Sequence, residues 1–463
     1  MKVLRYHFSG VAGAGMGPLA SLMRARGHEV QGSDRAFDLG KKQEIAAPLR
    51  RLGIELARHD GTAVTSAIDR FVYSAAVEAD TPELRAARTL GIDCLPRPQL
   101  LAEVVNTASP GVAIAGTSGK STIVGMIGWL LREGGVSATV LGGADFVGEG
   151  AGGCFVAGRA DGPAVAEACE SDGTLVGYHP AIGIIHNVSR DHDELAALRP
   201  QFTAFARNCG RLLVGADCPE AAALARRFKA ATYGVSADAD ARLRVTSVGP
   251  RRARGVLRHE GRDLTLDIPQ PGLYNLQNAT AAALVALELG VDATAVATLL
   301  ARFPGVARRF ELVGTTARDI HVVDDYAHNA EKIRAVITTA QAGASRVVAV
   351  FQPHGYGPAR FLRAELRALI PTLLRPQDRF CYAEIFYAGG TVAKDISSRA
   401  LADDLPAGLN CGYARDHEAA RQWVVSEARP GDTVLIMGAR DPDLPHLARA
   451  VLGSLEPRQE DRR

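Results

Sequence analysis

A chain of 463 residues, 47% hydrophobic and 22% charged, has the composition of a globular protein, and its length predicts about three domains at roughly 100–200 residues each. The formal net charge is +2 with no polybasic run or acidic tail, so nothing in the charge supports a nucleic-acid or membrane partner. Seven scattered cysteines without a C-x-x-C pair, no apolar stretch of roughly 18 residues and no signal-like segment after Met1 predict a reducing, cytoplasmic setting, as a monomer or weak homodimer.

The first hundred residues alternate strand and helix. LRYHFSG (4–10) reads as a strand running into glycines, and MGPLASLMRARG (16–27) has helical spacing with Gly27 as its C-cap. HEVQGSD (28–34) is a second strand; a helix near 40–52, the strand RFVYSAA (70–76), a helix near 82–90 and the strand IDCLP (92–96) follow. This spacing implies parallel βαβ units. The polar NTASPG (106–111) marks a domain boundary, giving a first domain over 1–107.

The second block, 108–312, opens with GVAIAG (111–116), an apolar run typical of a strand buried on both faces. A glycine-rich loop and the helix STIVGMIGWLLREGG (121–135) come next, then strands in ATVLGGA (138–144), PAVAEA (163–168), AIGIIHNV (181–188) and RLLVGAD (211–217). RLRVTSVG (242–249) and GVLRHEGRDLTLDIP (255–269) alternate and predict antiparallel strands, followed by helices near 275–289 and 292–302. In the last block, 313–463, DIHVVDDYAH (319–328), RVVAVFQPH (346–354), DRFCYAEI (378–385) and DTVLIMGA (432–439) are strands with helices between them. The tail after Leu455 reads as disordered. The expected class is α/β in three domains with mostly parallel sheets.

GTSGKST (116–122) lies between a buried strand and a helix. Gly116 and Gly119 allow a tight turn, and the N–H groups of Thr117, Ser118 and Gly119 with the helix N-terminus make an anion nest. Lys120 would reach the outer phosphates of a nucleotide, with Ser121 on a metal ion and Thr122 beside it. The spacing is shorter than a strict Walker A, whose first glycine would fall at Ile114. A glycine turn with a Ser-capped helix is the competing reading.

Downstream, EACESDGTL (167–175) puts Glu170 and Asp172 at a strand end, where a parallel sheet gathers ligands. A hard cation that bridges phosphates needs one or two carboxylates, and Glu170 is the candidate; a solvated loop is the alternative. HNVSRDHDEL (186–195) places Asp191, His192 and Asp193 after the next buried strand.

These motifs occur in the order and spacing of the Mur ligases: GTSGKST, the ESD at 170–172, the DHD at 191–193, NLQNATAA (275–282), FPGVARRFE (303–311) and DDYAHNAE (324–331). HFSGVAGAGM (7–16) and GHEVQGSD (27–34) resemble the alanine-adding branch and also the branch that recycles murein tripeptide, while FQPHGYGPAR (351–360) leans to the first. The resemblance covers nearly the whole chain. It implies an N-terminal Rossmann-like domain for a UDP-sugar, a central P-loop ATPase domain and a C-terminal Rossmann-like domain for the amino substrate. The implied reaction is phosphorylation of the carboxylate of UDP-N-acetylmuramate by ATP, then amine attack on the acyl phosphate, with Mg2+ as cofactor and alanine as the default acceptor. Another amino acid or a recycled murein peptide is the alternative.

The resemblance further implies that Lys120 holds the transferring phosphates, Ser121 and Glu170 one Mg2+, and His192 a second Mg2+ or the acyl phosphate. Asn275 and Asn278 match asparagines near adenine, Arg309 would reach the phosphates, and Asp325 the ribose. His328, His354 and Arg360 would face the amino substrate. Gly13, Ala14, Gly15 and Met16, with Ser33 and Asp34, would line the uridine diphosphate.

The departures lie in the last domain. Gly355 and Pro358 stand where alanine-adding members carry arginines, Asn329 and Ala330 replace His-Pro, and MGARDPDL (437–444) adds Arg440 and Asp441. Arginine is the natural bidentate partner of a carboxylate, so acceptor choice is expected to shift unless Arg360 and Arg440 compensate. The helix RPQFTAFARNCG (199–210) offers no lysine for carbamoylation. Two readings of other classes compete. A dinucleotide-binding oxidoreductase fails on the spacing Gly10-x-x-Gly13-x-Gly15, and a catalytically silent UDP-sugar-binding protein is disfavoured by the retention of Lys120, Glu170 and His192.

Overall fold

The computed structural model describes residues 2–74, 80–149, 155–170, 173–190, 194–387 and 393–456. Three α/β domains are each built on one sheet, as the alternation of strand and helix predicts. By compactness the chain forms two units: residues 1–246, 254–267 and 274–304, and residues 247–253, 268–273 and 305–463. Among the described residues no helix is long and apolar enough to cross a membrane. The six described cysteines are free.

The first sheet holds β1 (Arg5–Ser9), β2 (Glu29–Ser33), β3 (Glu55–Ala57), β4 (Arg70–Tyr73) and β5 (Asp93–Pro96), all parallel, in the order β3-β2-β1-β4-β5. The helix Met16–Ala25 buries Met16, Leu19, Ala20, Leu22 and Met23. It ends as predicted at Gly27, whose φ of +85° lets its own N–H and that of His28 close back on Arg24 and Met23. Gly32 serves close approach: a Cβ there would lie 2.9 Å from Val11 Cβ.

The second sheet holds β6 (Gly111–Ala115), β7 (Thr139–Leu141), β8 (Phe155–Val156), β9 (Ala164–Ala168), β10 (Ile182–Ile185), β11 (Arg211–Gly215), β12 (Ala231–Gly234), β13 (Ala241–Val248), β14 (Ala253–His259) and β15 (Arg262–Ile268). Its order is β15-β14-β13-β12-β11-β10-β6-β9-β7-β8. β6 is buried at every residue and runs parallel to both neighbours, β9 and β10. The loops leaving β6, β9 and β10 therefore emerge side by side at one edge, the usual ligand crevice of such a sheet. The antiparallel expectation for 242–249 fails on one side, because β13 pairs in parallel with β12, Tyr233 against Ala241. Alternation reports one solvated face; it carries no information on strand direction.

The third sheet holds β16 (Glu311–Thr315), β17 (His321–Asp325), β18 (Val347–Gln352), β19 (Arg379–Ala383), β20 (Cys411–Ala414) and β21 (Thr433–Gly438), in the order β16-β17-β21-β18-β19-β20. β16 is antiparallel to β17 and the rest are parallel. β18 and β21 are buried throughout and form its centre. Of the tail expected to be disordered after Leu455, the residues from 457 on lie outside the described residues.

Candidate active site

β6 ends at Ala115 and the helix Lys120–Glu133 begins four residues after Gly116, so the loop 116–119 joins a buried strand to a helix N-terminus. Gly116 has φ +145° and Gly119 φ +88°; a Cβ on Gly119 would meet Asn278 Oδ1 at 2.5 Å. The segment after β10 clamps the loop. Thr117 N–H donates to Asn187 O at 3.1 Å and Ser118 N–H to Asn187 Oδ1 at 2.8 Å. Thr117 Oγ1 and Ser189 exchange two bonds, of 3.1 and 2.9 Å. Asn187 and Ser189 were not singled out in the sequence, although both lie in the HNVSRDHDEL segment that was.

Lys120 bridges the crevice. Its ammonium donates to Gly116 O and to Glu170 Oε2, the latter at 2.8 Å, with side-chain exposures of 12% for Lys120 and 3% for Glu170. Burial alone would weaken the ammonium, but Glu170, with Cys169 and Glu167 behind it, outweighs burial and holds its pKa above the ordinary lysine value. Ser121 and Thr122 are buried in the first helical turn. The structure thus brings together the loop, Lys120, Ser121 and Glu170. Asp172, Asp191, His192 and Asp193 lie outside the described residues. Among the described residues no cluster of three or more His, Cys, Asp or Glu is arranged around a metal position.

Asn275 and Asn278 are buried on the helix Leu273–Glu288 that flanks the loop, with Asn278 Nδ2 donating to Asn275 Oδ1 at 3.3 Å. Beside them His186 lies 2.7 Å from Tyr233 Oη through Nδ1 and stacks on that ring; burial pushes the imidazole down to about 4, so it is neutral. Among the described residues Ser118 Oγ, Ser189 Oγ and Asn278 Oδ1 are buried without a hydrogen-bond partner. Orphaned polar atoms around a helix N-terminus fit a nucleoside triphosphate, which would satisfy them.

A cleft of about 240 Å³ is lined by Gly15, Arg97, Leu141, Gly143, Glu167 and Cys169 among others. Arg97 packs over Gly15, where a Cβ would meet its Nη1 at 3.0 Å. Glu167 Oε1 accepts from Gly143 N–H at 2.7 Å, which fixes the wall. Gly13 and Gly15 are partly exposed in the turn before the helix, and Ala14 is exposed at its apex. Met16 and Ser33 are placed otherwise than expected: Met16 is 2% exposed in the core, and Ser33 is fully buried with its hydroxyl on Glu83. Asp34 accepts from Ala12 and Ala36 N–H groups, so its carboxylate ties the glycine loop to the end of β2.

The second unit carries the remaining predicted residues. Asp325 accepts from Phe310 N–H and Ala327 N–H, both at 2.7 Å. It thereby pins a turn in which Arg308 and Phe310 take φ of +59° and +51°. Arg309 sits 4.7 Å over the Tyr326 ring. His328 Nδ1 lies 2.9 Å from Tyr326 O, and the His328 and His354 rings are 5.3 Å apart, both buried. Asn329 caps the helix Ala330–Gln341 by accepting from Lys332 N–H. Gly355, at φ +71°, starts the helix Tyr356–Leu373, a backbone that an arginine would strain. Arg360 is turned to Asp395 and Ala393 O. Asp441, which sequence reasoning noted only as a departure, is buried and pairs with His417 at 3.1 Å.

Three domain models match the chain in order: the Mur ligase family catalytic domain over 5–108, the Mur ligase middle domain over 114–286, and the Mur ligase glutamate ligase domain over 308–440. The UDP-N-acetylmuramate–L-alanine ligase of Kineococcus radiotolerans is 38% identical, covering 94% of this chain and 93% of that protein. The ligase of the same name from Xanthomonas oryzae pv. oryzae is 33% identical over the same shares. The crystal structure of the UDP-N-acetylmuramate–alanine ligase of Thermotoga maritima matches with a TM-score of 0.76 at 25% identity, over 97% of this chain and 98% of that one. A murein peptide ligase from Psychrobacter arcticus shares the fold, with a TM-score of 0.67 at 21% identity over 98% of each chain. With relatives this similar along nearly all of its length, the chain belongs to the Mur ligase family.

Proposed function

We propose that the chain joins L-alanine to the carboxylate of UDP-N-acetylmuramate while converting ATP to ADP and phosphate, a cytoplasmic step in peptidoglycan precursor synthesis. One observation carries the reading: Lys120 closes the phosphate loop on Gly116 O and pairs with Glu170, whose chain neighbour Cys169 lines the cleft together with Glu167. A terminal phosphate and a sugar-borne carboxylate would meet there.

Phosphoryl transfer asks chiefly for positioning and charge neutralisation. In this reading the N-terminus of the helix Lys120–Glu133, entered through Gly119, faces the phosphates, and Lys120 follows the transferring group, exchanging Glu170 for phosphate oxygens. Mg2+, when bound, would neutralise charge between the outer phosphates, held by Ser121, Glu170 and His192. Asn275 and Asn278 would take the adenine edge and Arg309 the phosphates. The Gly13–Gly15 turn, with Arg97, would hold the diphosphate of the donor. His328, His354 and Arg360 would orient the incoming amine, whose attack on the acyl phosphate releases phosphate and leaves the amide.

Incubating the purified chain with ATP, UDP-N-acetylmuramate and a mixed amino-acid pool, then weighing the products by mass spectrometry, tests the reading. The alanyl adduct is expected; no ATP-dependent adduct would overturn it. A second reading, a murein peptide as acceptor, is favoured by Gly355 at φ +71° and by the pairing of Arg360 with Asp395. Together they leave that segment without an arginine for a free carboxylate. Adding the tripeptide to the pool decides between the two.

A further inference from the structure

A carboxylate that the scheme above does not use lies fully buried at the C-terminal edge of the first sheet. Glu83, in the first turn of the helix Pro82–Thr89, accepts from Ser9 Oγ and Ser33 Oγ, both at 2.5 Å. His7 Nε2 lies 3.2 Å from it and His59 Nδ1 2.9 Å. Four donors on one carboxylate with 0% side-chain exposure keep it ionised inside the protein. Only one member of the network reaches the surface: His59, with 10% of its side chain exposed, after β3.

His59 uses one ring nitrogen inward. Nδ1 is held by Glu83 and lies 3.1 Å from Ser33 Oγ, while Nε2 has no partner among the described residues. A carboxylate on one imidazole nitrogen orients the ring and leaves the other nitrogen to a ligand. The place is one where ligands gather, beyond the carboxyl ends of parallel strands. It adjoins the turn before the helix Met16–Ala25 through Asp34, which ties down Ala12 and acts on His59 by its charge. A helix N-terminus and an imidazole held by a carboxylate on the same edge suit a phosphate anion.

We infer that His59 donates from Nε2 to a phosphate oxygen of the donor's nucleoside diphosphate, and that Glu83 is the residue that positions it; the inference rests on the donor reading above. The charges around His59 agree. Its hydrogen bond to Glu83, and the charges of Glu83 and Asp34, raise its pKa against burial and Arg35, while Asp38 accepts from its backbone N–H. His7 reaches it through Glu83 and through Ser33 Oγ.

Calorimetric titration of the full chain with UDP and, separately, with uridine tests this. His59→Gln should weaken UDP about tenfold or more, the usual effect of losing a charge-assisted hydrogen bond, and leave uridine unchanged. Wild-type affinity for UDP should fall as His59 loses its proton with rising pH, measured from about pH 7 upward where the phosphate's own charge is constant, and the His59→Gln affinity should not. Glu83→Gln should move that fall to lower pH. His59→Gln, at the surface end of the network, keeps the test independent of how well Glu83→Gln folds. UDP affinity unchanged in His59→Gln, or equal losses for UDP and uridine, would overturn the inference while sparing the donor reading. Failure of the wild type to bind UDP at all would overturn both.

Discussion

Asp324 offers a stability prediction with a defined sign. It is the penultimate residue of β17, before Asp325, is 1% exposed, and neither of its carboxylate oxygens makes a hydrogen bond, although Arg308 Nε lies 3.3 Å from Oδ2. Burial raises its pKa to about 6 against the opposing charge of Arg308. The folded pKa exceeds the unfolded one. The stabilisation is therefore complete below about pH 4 and is lost as pH rises through about 6. A shift of roughly two units corresponds to about 3 kcal/mol in order of magnitude. Asp324→Asn mimics the protonated form, and Arg308 keeps its bond to Gly438 O at 2.7 Å. The variant should match the wild type near pH 4 and exceed it by about 2–3 kcal/mol near pH 8. The chain has two tryptophans, Trp129 and Trp423, so in a Trp129→Phe background urea unfolding followed by Trp423 fluorescence reports the domain that holds Asp324. A difference between variant and wild type that stays constant with pH, or grows toward acid, would refute the reasoning.

Other expectations follow from single residues. Gly119→Ala places a Cβ 2.5 Å from Asn278 Oδ1 at φ +88°, so the KM for ATP should rise about tenfold or more in steady-state assays while UDP affinity holds. Lys120→Ala leaves Glu170 buried without its cation; phosphate release should fall by about a hundred- to a thousandfold, and retained turnover would remove Lys120 from the chemistry. Arg440 has φ +63°, so Arg440→Gly should stabilise the second unit by about 1 kcal/mol in the Trp423 melt. A lower melting point would show that its side chain is held in place.

How much of this was legible in the sequence depends on how local the signal is. GTSGKST could be read because a buried strand, two glycines, a lysine and a helix are consecutive, and the structure keeps them so. The fully buried strands around 112, 182, 348 and 434 were legible because apolar runs need no register to be recognised. β3, β12, β16 and β20 were not, because three to five residues carry no period of their own and are strands only by pairing with a neighbour. Side-chain commitment was the other blind spot. Ser33 and Asp325 sit at strand ends, as a ligand-binding residue should, yet Ser33 is spent on Glu83 and Asp325 on two backbone N–H groups. Glu83 itself reads as an ordinary first-turn helix acid, and its partners are 24 to 76 residues away in sequence. Arg97 is hidden likewise, since only the fold brings it over Gly15.

The central claim is that ATP activates a sugar-borne carboxylate at Lys120. Labelling both carboxylate oxygens of UDP-N-acetylmuramate with oxygen-18 and analysing the phosphate released with L-alanine tests it most directly. Transfer through an acyl phosphate predicts one labelled oxygen in each phosphate. Unlabelled phosphate, or release that does not depend on the sugar nucleotide, would contradict it.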